Sequence, residues 1–414
     1  MAHIETDILI VGGGVAGAAL ACALRHQNYR ITLVEQRKEK LDTARGDHFQ
    51  PYTVELLARW GVLNKFLERG AGKRIGHEFR TAGGETLLAA SYDELPLAYP
   101  YFLVFNHDLI AELFLELAAE NPNFTRLQPV TARQFEADDK GIHALTVTLP
   151  NGETATFKPN IVIGADGTNS AVRAALHFTA EEYQYKHPLV ALFGPRPAAL
   201  QPNDYFFRYA GKTGMLVIQQ RMDGSIKVTL PVGAEGTAWW KKSTPAERAQ
   251  VLAERAAVLR DFESEIAGFY QARLLHCHEY VKGNVALIGD AAHSIHPARG
   301  QGLNMGIQSL PKLIDALPAP TKVGKPDIVT WDLQLYQDYQ KPLYDRISAR
   351  NHEAALLMDA STEGGDGDVA ELMRQQDERI RQIHRQPELR RLHLLEATGY
   401  PFGIPGKTEM DYQV

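Results

Sequence analysis

Apolar runs that end at glycine mark three places where the sequence predicts a strand leading into a loop. Residues 7–35, DILIVGGGVAGAALACALRHQNYRITLVE, read as an apolar strand, a glycine-rich turn, a helix and a second strand, which is a βαβ unit. Further apolar strands lead into Asp166 and Gly167, and into Gly289 and Asp290. Because ligands bind at the carboxyl ends of strands in a parallel sheet, three such ends predict a site for one long ligand.

The first loop has the GxGxxG spacing of a dinucleotide-binding fingerprint, formed by Gly12, Gly14 and Gly17. The first glycine permits a tight turn, the second lets the backbone approach a pyrophosphate, and the third lets the helix pack close to the strand. The helix N-terminus, where Val15 and Ala16 lie, then faces the phosphates. The loop therefore predicts a nucleotide site.

Glu35 ends the second strand, 23 residues after the first glycine, where a carboxylate accepts hydrogen bonds from both hydroxyls of a ribose. Its neighbour Gln36 is assigned to the same site. Arg37, Lys38 and Lys40 follow and have two interpretations. They either bind a 2′-phosphate or form a solvated charged surface, and the solvated surface is the simpler interpretation.

Alternating segments between these motifs predict an antiparallel sheet. Residues 147–157 carry an Asn-Gly turn between two alternating strands, and residues 204–232 contain strands joined by Gly-rich and Asp-Gly turns. Residues 243–262 and 332–358 read as an amphipathic helix and a long helix. Pro311 is expected to kink the helix that follows the third motif, because it removes a helical hydrogen bond. These patterns predict an α/β fold: a Rossmann-like domain, an interleaved antiparallel-sheet domain and a C-terminal helical segment.

Composition narrows the class of protein. The 414 residues carry 44 basic and 50 acidic side chains, a formal charge of −6, and no long basic run, which argues against nucleic acid as a partner. The two cysteines, Cys22 and Cys277, cannot form a disulfide framework, so a cytoplasmic location is expected. The uncharged run from Ile8 to Leu24 contains four glycines and follows an acidic flank. No transmembrane segment or signal peptide is therefore predicted.

The three motifs together resemble the single-component FAD-dependent aromatic hydroxylases, the para-hydroxybenzoate hydroxylase superfamily of group A flavoprotein monooxygenases. They are the GxGxxG with Glu35, the DGxxSxxR from Asp166 to Arg173, and the GDAAH…PxxGxGxN from Gly289 to Asn304. The similarity covers about residues 5 to 345. It implies FAD as cofactor, NAD(P)H as a transient co-substrate, and O2-dependent hydroxylation of an aromatic or heteroaromatic small molecule through a C4a-hydroperoxyflavin.

The resemblance also implies roles for individual residues. Glu35 would bind the adenosine ribose, Arg45 the pyrophosphate region and Asp290 the ribityl chain. The backbone from Gly300 to Asn304 would hold the flavin ring near N1 and O2, with the positive end of the following helix aimed at reduced flavin. His107 fills a position where an Arg or Gln commonly contacts the flavin. The full set of cofactor residues expected is Gly12, Gly14, Val15, Ala16, Gly17, Glu35, Gln36, Arg45, His107, Asp166, Gly167, Arg173, Gly289, Asp290, Pro297, Gly300, Gly302, Leu303 and Asn304.

Five residues are candidates for a catalytic role: His48, Arg221, His296, Pro297 and Arg299. His48 and His296 are candidate bases for deprotonating a phenol near neutral pH, although a histidine beside Pro297 also recurs as a structural feature in this family. Arg299 stands where relatives usually have a small residue. Three roles stay open for it: binding a substrate anion, stabilising negative charge on reduced flavin, or simply reaching solvent. Arg221 is the rival anion binder, because it aligns near the substrate-carboxylate arginine of para-hydroxybenzoate hydroxylase.

His276 and His278 would share one face of a strand, as metal ligands do, but no further ligand set accompanies them. No metal is therefore expected. The chain is expected to act as a monomer or homodimer.

Six segments make up the expected domain organisation. Residues 1–75, 101–180 and 279–345 would form the FAD-binding domain. Residues 76–100 and 181–278 would form the substrate domain, and residues 346–414 the C-terminal helical segment. Two other functions stay open: a flavin-dependent reductase of isoprenoid-type substrates, and a non-catalytic carrier or regulatory protein with the FAD fold.

Overall fold

The computed structural model describes residues 2–38, 46, 48–200, 205–211, 214–320, 329–362 and 367–400. Its strands are β1 (Ala2–Val11), β2 (Ile31–Val34), β3 (His48–Phe49), β4 (Gly72–Arg74), β5 (Gly76–Thr81), β6 (Thr86–Ser91), β7 (Phe102–Val104), β8 (Phe124–Leu127), β9 (Gln134–Asp138), β10 (Gly141–Thr148), β11 (Thr154–Gly164), β12 (Ala180–Gln184), β13 (Leu189–Gly194), β14 (Tyr205–Gly211), β15 (Gly214–Gln220), β16 (Ile226–Pro231), β17 (Glu265–Tyr270), β18 (Arg273–Cys277), β19 (Val281–Lys282), β20 (Val285–Leu287) and β21 (His293–Ser294).

The helices are α1 (Val15–Ala23), α2 (Pro51–Arg59), α3 (Leu63–Glu68), α4 (His107–Ala118), α5 (Ala171–Ala175), α6 (Gly236–Lys242), α7 (Pro245–Arg255), α8 (Gly302–Gln308), α9 (Leu310–Ala316), α10 (Val329–Thr362), α11 (Gly367–Arg385) and α12 (Pro387–Thr398). Short 3₁₀ turns lie at Tyr92–Glu94, Ala257–Leu259, Gly289–Ala291 and Pro297–Arg299.

The chain forms two compact units, and the first comprises Met1–Asp42, His107–Tyr183 and Arg273–His352. Its main sheet has the order β19-β20-β11-β1-β2-β8, with β10 and β9 added beside β11. The pairs from β20 to β8 are parallel. A second sheet has the order β12-β18-β21. The parallel arrangement brings the carboxyl ends of β1, β2, β11 and β20 to one edge of the sheet, where the motif loops begin.

Strand β1 forms the centre of this sheet because its apolar residues are covered on both faces. Ile8, Leu9 and Ile10 have no exposed surface, and Ile8 pairs with Ile161 on β11 and with Ile31 on β2. A continuous apolar strand of this kind is typical of a parallel sheet with helices on its faces. Helix α1 packs against α4 and α8.

The second unit comprises Thr43–Asn106, Gln184–Ala272 and Glu353–Val414. Its seven-stranded sheet has the order β17-β13-β16-β15-β14-β5-β6, and β3-β7-β4 form a smaller sheet. The predicted antiparallel sheet is present, but β14 and β5 pair in parallel, because these strands come from distant segments and no hairpin joins them. One apolar cluster includes Leu192, Ile218, Val228 and Trp240.

The α/β fold class predicted from the sequence is confirmed. The predicted kink at Pro311 is a complete break, because α8 ends at Gln308 and α9 begins at Leu310. Pro311 lies in the first turn of α9, where a missing N–H leaves no helical hydrogen bond unmade. Among the described residues, no helix is both long and apolar enough to cross a membrane.

Candidate FAD site

Of the three GxGxxG glycines at the junction of β1 and α1, the fold requires two and leaves the third open. Gly12 has a φ of +109°, and a Cβ there would lie 2.3 Å from the carbonyl oxygen of Ala165. A Cβ at Gly17 would lie 2.1 Å from the carbonyl oxygen of Gly12. At Gly14, by contrast, the nearest atom to a Cβ is 3.7 Å away. Gly14 therefore presents open backbone to a ligand.

Helix α1 supports the same conclusion. Its N-cap residue is Gly14, which has no side chain to cap the first-turn N–H groups that follow it. Such amides, together with the positive end of the helix, bind anions. The open glycine and the uncapped helix end fit the pyrophosphate of FAD.

Glu35 lies at the carboxyl end of β2, as predicted, and is 5% exposed. Its carboxylate accepts hydrogen bonds from the amide of Gly13 at 2.7 Å and the amide of Arg37 at 2.8 Å. Burial by itself raises the pKa of Glu35, but the hydrogen bonds from Arg37 and Gly13 outweigh it and hold that pKa below its ordinary value. Arg37 is ion-paired with Glu35, and its side chain stays 42% exposed, as expected for a solvated charged surface. Gln36 beside it is exposed.

Asp166 at the end of β11 bonds to its own loop. One carboxylate oxygen accepts the hydroxyl of Ser170 at 2.6 Å, and the other accepts the amides of Ala171 and Val172 at 2.6 and 3.2 Å. Burial raises the pKa of Asp166 although these hydrogen bonds oppose the shift. Asp166 thus caps the short helix α5, and its expected contact with FAD stays a prediction. Gly167 beside it has a φ of +80° and open space around its Cα.

Arg173 connects the second motif to the third. Its guanidinium donates to the carbonyl of Thr168 at 2.6 Å and to the carbonyl of Ala291 at 3.0 Å. Because Ala291 belongs to the GDAAH loop, a single side chain fixes the two loops at a set distance. Arg173 therefore positions the cofactor loops, whether or not it also contacts FAD.

The third motif packs directly against the first. Gly289 has a φ of +57°, and a Cβ there would lie 2.9 Å from the Cβ of Ala16. A Cβ at Gly306 on α8 would lie 3.3 Å from the same atom. Together with the contact of Gly12 on Ala165, these contacts show that all three motif loops meet in the first unit.

The loop proposed to hold the flavin ring is closed by local hydrogen bonds. His296 is 2% exposed, and its Nδ1 accepts the amide of Ala298 at 3.0 Å, which caps the 3₁₀ turn begun by Pro297. Gly300 ends that turn with a φ of +64°. Asn304 is fully buried and its amide lies 3.4 Å from the carbonyl oxygen of Gly300. The cap on the turn favours the structural interpretation of His296.

The remaining cofactor candidates of the first unit lie on the same loops. Gly302 and Leu303 begin α8, and Asp290 is half-buried in the GD loop. His107 is 6% exposed and begins α4, the helix that packs on α1. Arg45, assigned to the pyrophosphate region, lies outside the described residues.

Two of the catalytic candidates lie in the second unit. His48 is half-buried on β3; its Nδ1 is 3.2 Å from Nε2 of Gln219, and its ring meets Phe102 edge-on at 5.3 Å. The guanidinium of Arg221 lies 4.0 Å from the ring centroid of Phe193, a cation–π contact. Among the described residues, the buried Nε of Arg221 has no hydrogen-bond partner. Arg299 and His296 belong to the first unit.

Sequence reasoning did not identify Lys227 on β16. This lysine is 1% exposed, and its Nζ lies 5.8 Å from the ring of Phe193. Its neighbours Ile226 and Val228 enter the apolar cluster of the sheet, so Lys227 points to the opposite face. The alternation of apolar and polar residues along β16 is visible in the sequence, but the burial of the face that carries Lys227 is not.

The two histidines considered as metal ligands have different partners. His276 Nε2 lies 2.6 Å from an Asp345 carboxylate oxygen, whereas His278 Nδ1 lies 3.0 Å from the hydroxyl of Thr179. Within the described residues, no group of three or more His, Cys, Asp or Glu side chains could hold a metal ion. His276 is better explained as part of a local ion-pair network.

Comparison with known proteins identifies the family. The family described as FAD binding domain matches residues 5–330. A rifampicin monooxygenase of Streptomyces venezuelae is 30% identical over 388 residues, which cover 89% of this chain and 74% of that protein. A ubiquinone hydroxylase of Rhodospirillum rubrum is 24% identical over 419 residues, which cover 95% of this chain and 89% of that protein. The structure of a p-nitrophenol 4-monooxygenase from Pseudomonas putida has a TM-score of 0.80 at 21% identity, covering 96% of this chain and 99% of that one.

These matches confirm the resemblance inferred from the three motifs and do not favour the reductase or carrier alternatives. The loops of the first unit fit the cofactor that the family binds. The chain belongs to the FAD binding domain family and is an FAD-dependent monooxygenase of the aromatic hydroxylase type.

Proposed function

We propose that the enzyme hydroxylates an electron-rich aromatic or heteroaromatic small molecule with NAD(P)H and O2, and that this substrate carries an anionic group. The binding of FAD in this proposal is supported by one observation: the three motif loops meet in the first unit, through Ala16, Ala165 and Ala291. When bound, FAD accepts hydride from NAD(P)H and activates oxygen. The protein's task is to bind, to orient and to exclude water.

We assign cofactor binding to side chains and backbone of the first unit. The N–H groups around Gly14 bind the pyrophosphate, Glu35 binds the adenosine ribose, and Asp290 binds the ribityl chain. The backbone from Gly300 to Asn304 holds the flavin ring. The FAD-binding ranges expected from the sequence, residues 1–75, 101–180 and 279–345, extend beyond the first unit at residues 43–75 and 101–106. They stay an expectation, and a cytoplasmic location is also part of this proposal.

We assign recognition of the substrate anion to Arg221. Its buried Nε lacks a partner among the described residues, and a charged donor left unpaired in a protein interior is destabilising unless a ligand completes it. An arginine also matches the planar geometry of a carboxylate. His48, held by Gln219, is the proposed base for a phenolic hydroxyl.

The reaction is tested on the purified protein. Phenolic acids, hydroxyquinolines, polyketides and quinone precursors are screened for stimulated NAD(P)H oxidation, and the mass of each product is measured. The product should gain one oxygen atom, and ¹⁸O should enter from labelled O2. Incorporation from labelled water would rule out a monooxygenase reaction.

The anion site is tested with two matched variants. Arg221→Met should raise the KM for an anionic substrate about tenfold or more, since a lost charged hydrogen bond costs about 1.5 to 3 kcal/mol, and FAD content should not change. Arg299→Met is the comparison, because Arg299 lies on the proposed flavin loop. If Arg299→Met alters KM or diverts NAD(P)H oxidation to peroxide while Arg221→Met does not, the anion site belongs to the first unit.

A further inference from the structure

The carboxylate of Glu35 has no acceptor position to spare. Besides the amides of Gly13 and Arg37, it accepts two hydrogen bonds from the Arg37 side chain, Nε to Oε1 at 3.1 Å and Nη2 to Oε2 at 3.3 Å. A carboxylate offers about four lone-pair positions. Four donors therefore fill them.

Only two of these four donors can leave without a change in the backbone. The amide of Gly13 belongs to the turn before α1, and the backbone of Arg37 is held by its carbonyl, which accepts Nε2 of Gln128 at 2.7 Å. The Arg37 side chain is 42% exposed, whereas that of Glu35 is 6% exposed. The guanidinium bonds are also the two longest. These two hydrogen bonds from the Arg37 guanidinium are therefore the ones that a ligand can replace.

The guanidinium also lies beside the open face of the glycine loop. The atom nearest to a Cβ at Gly14 is Nη2 of Arg37, at 3.7 Å. Gly14 is where the backbone is expected to approach the pyrophosphate. One side chain thus covers both the acceptors of Glu35 and the approach to Gly14.

We propose that Arg37 is a displaceable cover on the adenosine site, whose guanidinium competes with the ribose of FAD for Glu35. The proposal rests on the assignment of Glu35 to that ribose. A ribose diol donates two hydrogen bonds, and withdrawal of the guanidinium frees two acceptor positions. The two arrangements exclude each other, so FAD binds only as the Arg37 side chain swings outward into solvent.

The competition has a defined cost for binding. Part of the apparent affinity for FAD is lost to breaking the pair of Arg37 with Glu35. An ion pair whose arginine is 42% exposed contributes about 1 kcal/mol. Removing the guanidinium should therefore tighten FAD binding by up to about fivefold. Most of the change should appear as faster association, because the cover no longer has to open.

The chain contains a matched control for this experiment. Arg30 binds Asp7 in the same way, with its amide on Oδ2 at 2.8 Å and with Nε and Nη2 on Oδ1 at 3.1 and 2.6 Å. This pair involves no motif loop. Arg30→Met therefore removes a comparable ion pair, together with a longer contact of Arg30 with Glu5 at 3.5 Å, and reports any general effect of doing so.

The test measures FAD association and dissociation by flavin fluorescence on the full chain after removal of cofactor. Arg37→Met should associate faster than wild type and bind up to about fivefold more tightly, whereas Arg30→Met should match wild type. Arg37→Lys, which keeps the charge but not the two-pronged geometry, should lie between wild type and Arg37→Met and serves if Arg37→Met does not fold.

Two outcomes overturn the proposal. Weaker or slower FAD binding in Arg37→Met would make Arg37 a ligand of FAD, and binding equal to wild type would remove any competition. The variant Glu35→Gln tests the assignment of Glu35 to the ribose independently of the role of Arg37. If Glu35→Gln leaves FAD affinity unchanged, the ribose assignment fails; if Glu35→Gln weakens binding while Arg37→Met has no effect, only the cover is wrong.

Discussion

Alanine substitutions at Gly14 and Gly17 should separate cofactor binding from folding within one motif. The backbone of Gly14 has a φ of −69° and a ψ of −177°, a conformation open to any residue. An added Cβ meets no atom closer than 3.7 Å. Gly14→Ala should therefore fold, with a loss of about 1 kcal/mol or less at this N-cap position.

FAD affinity should nevertheless fall in Gly14→Ala. The new methyl group would stand where the pyrophosphate approaches the backbone. Crowding of one methyl group in a close-packed site costs about 1 to 3 kcal/mol, which corresponds to about a fivefold to 150-fold higher Kd.

Gly17→Ala should show the opposite pattern. A Cβ at Gly17 would lie 2.1 Å from the carbonyl oxygen of Gly12, and within 3.1 and 3.2 Å of side-chain atoms of Ala165 and Ile10. Relief of that overlap requires α1 to move away from β1, and we expect a loss of about 3 kcal/mol in the free energy of unfolding. FAD binding should fall as a consequence of the displaced loop.

Thermal unfolding of the cofactor-free variants and titration with FAD distinguish the two effects. Gly14→Ala should keep the Tm of wild type within a few degrees and lose FAD affinity, whereas Gly17→Ala should lose both. Wild-type FAD affinity in Gly14→Ala would refute the placement of the pyrophosphate at this loop. A wild-type Tm in Gly17→Ala would refute the close packing of α1 on β1.

Two further predictions concern the third motif. Asp290→Ala should release FAD faster during gel filtration, because a hydrogen bond between a hydroxyl and a carboxylate is lost; full occupancy after the column would contradict the assignment to the ribityl chain. Full burial and the neighbouring His276 lower the pKa of His293 from 6.5 to about 3, so the folded state binds fewer protons than the unfolded state between these values. The free energy of unfolding should therefore be highest above pH 6.5 and should decrease by about 1.4 kcal/mol per pH unit as the pH falls toward 3. Denaturant unfolding of wild type and His293→Phe at pH 7, 6 and 5 measures this, and parallel pH curves would show that His293 is not responsible.

Local sequence determined the features that depend on short-range geometry. Gly12 adopts a φ of +109°, which favours glycine, and Gly17 is needed for a contact within the βαβ unit itself, with the carbonyl oxygen of Gly12. The order of the three motifs identified the family before any contact was known. The alternation around Ile226 and Val228 predicted their strand and its apolar face. Each of these rests on φ and ψ preferences or on the two-residue period of a strand, which a single sequence displays directly.

The tertiary structure decided which polar side chains meet. The guanidinium of Arg173 donates to the carbonyl of Ala291, 118 residues away, and its contact with the cofactor stays a prediction. Lys227 occupies a strand position that reads as solvent-facing but is 1% exposed. Arg37, in the exposed charged run after β2, pairs with the buried carboxylate of Glu35. Hydrogen-bond partners and the covering of a sheet face depend on segments distant along the chain, so only the folded arrangement fixes them.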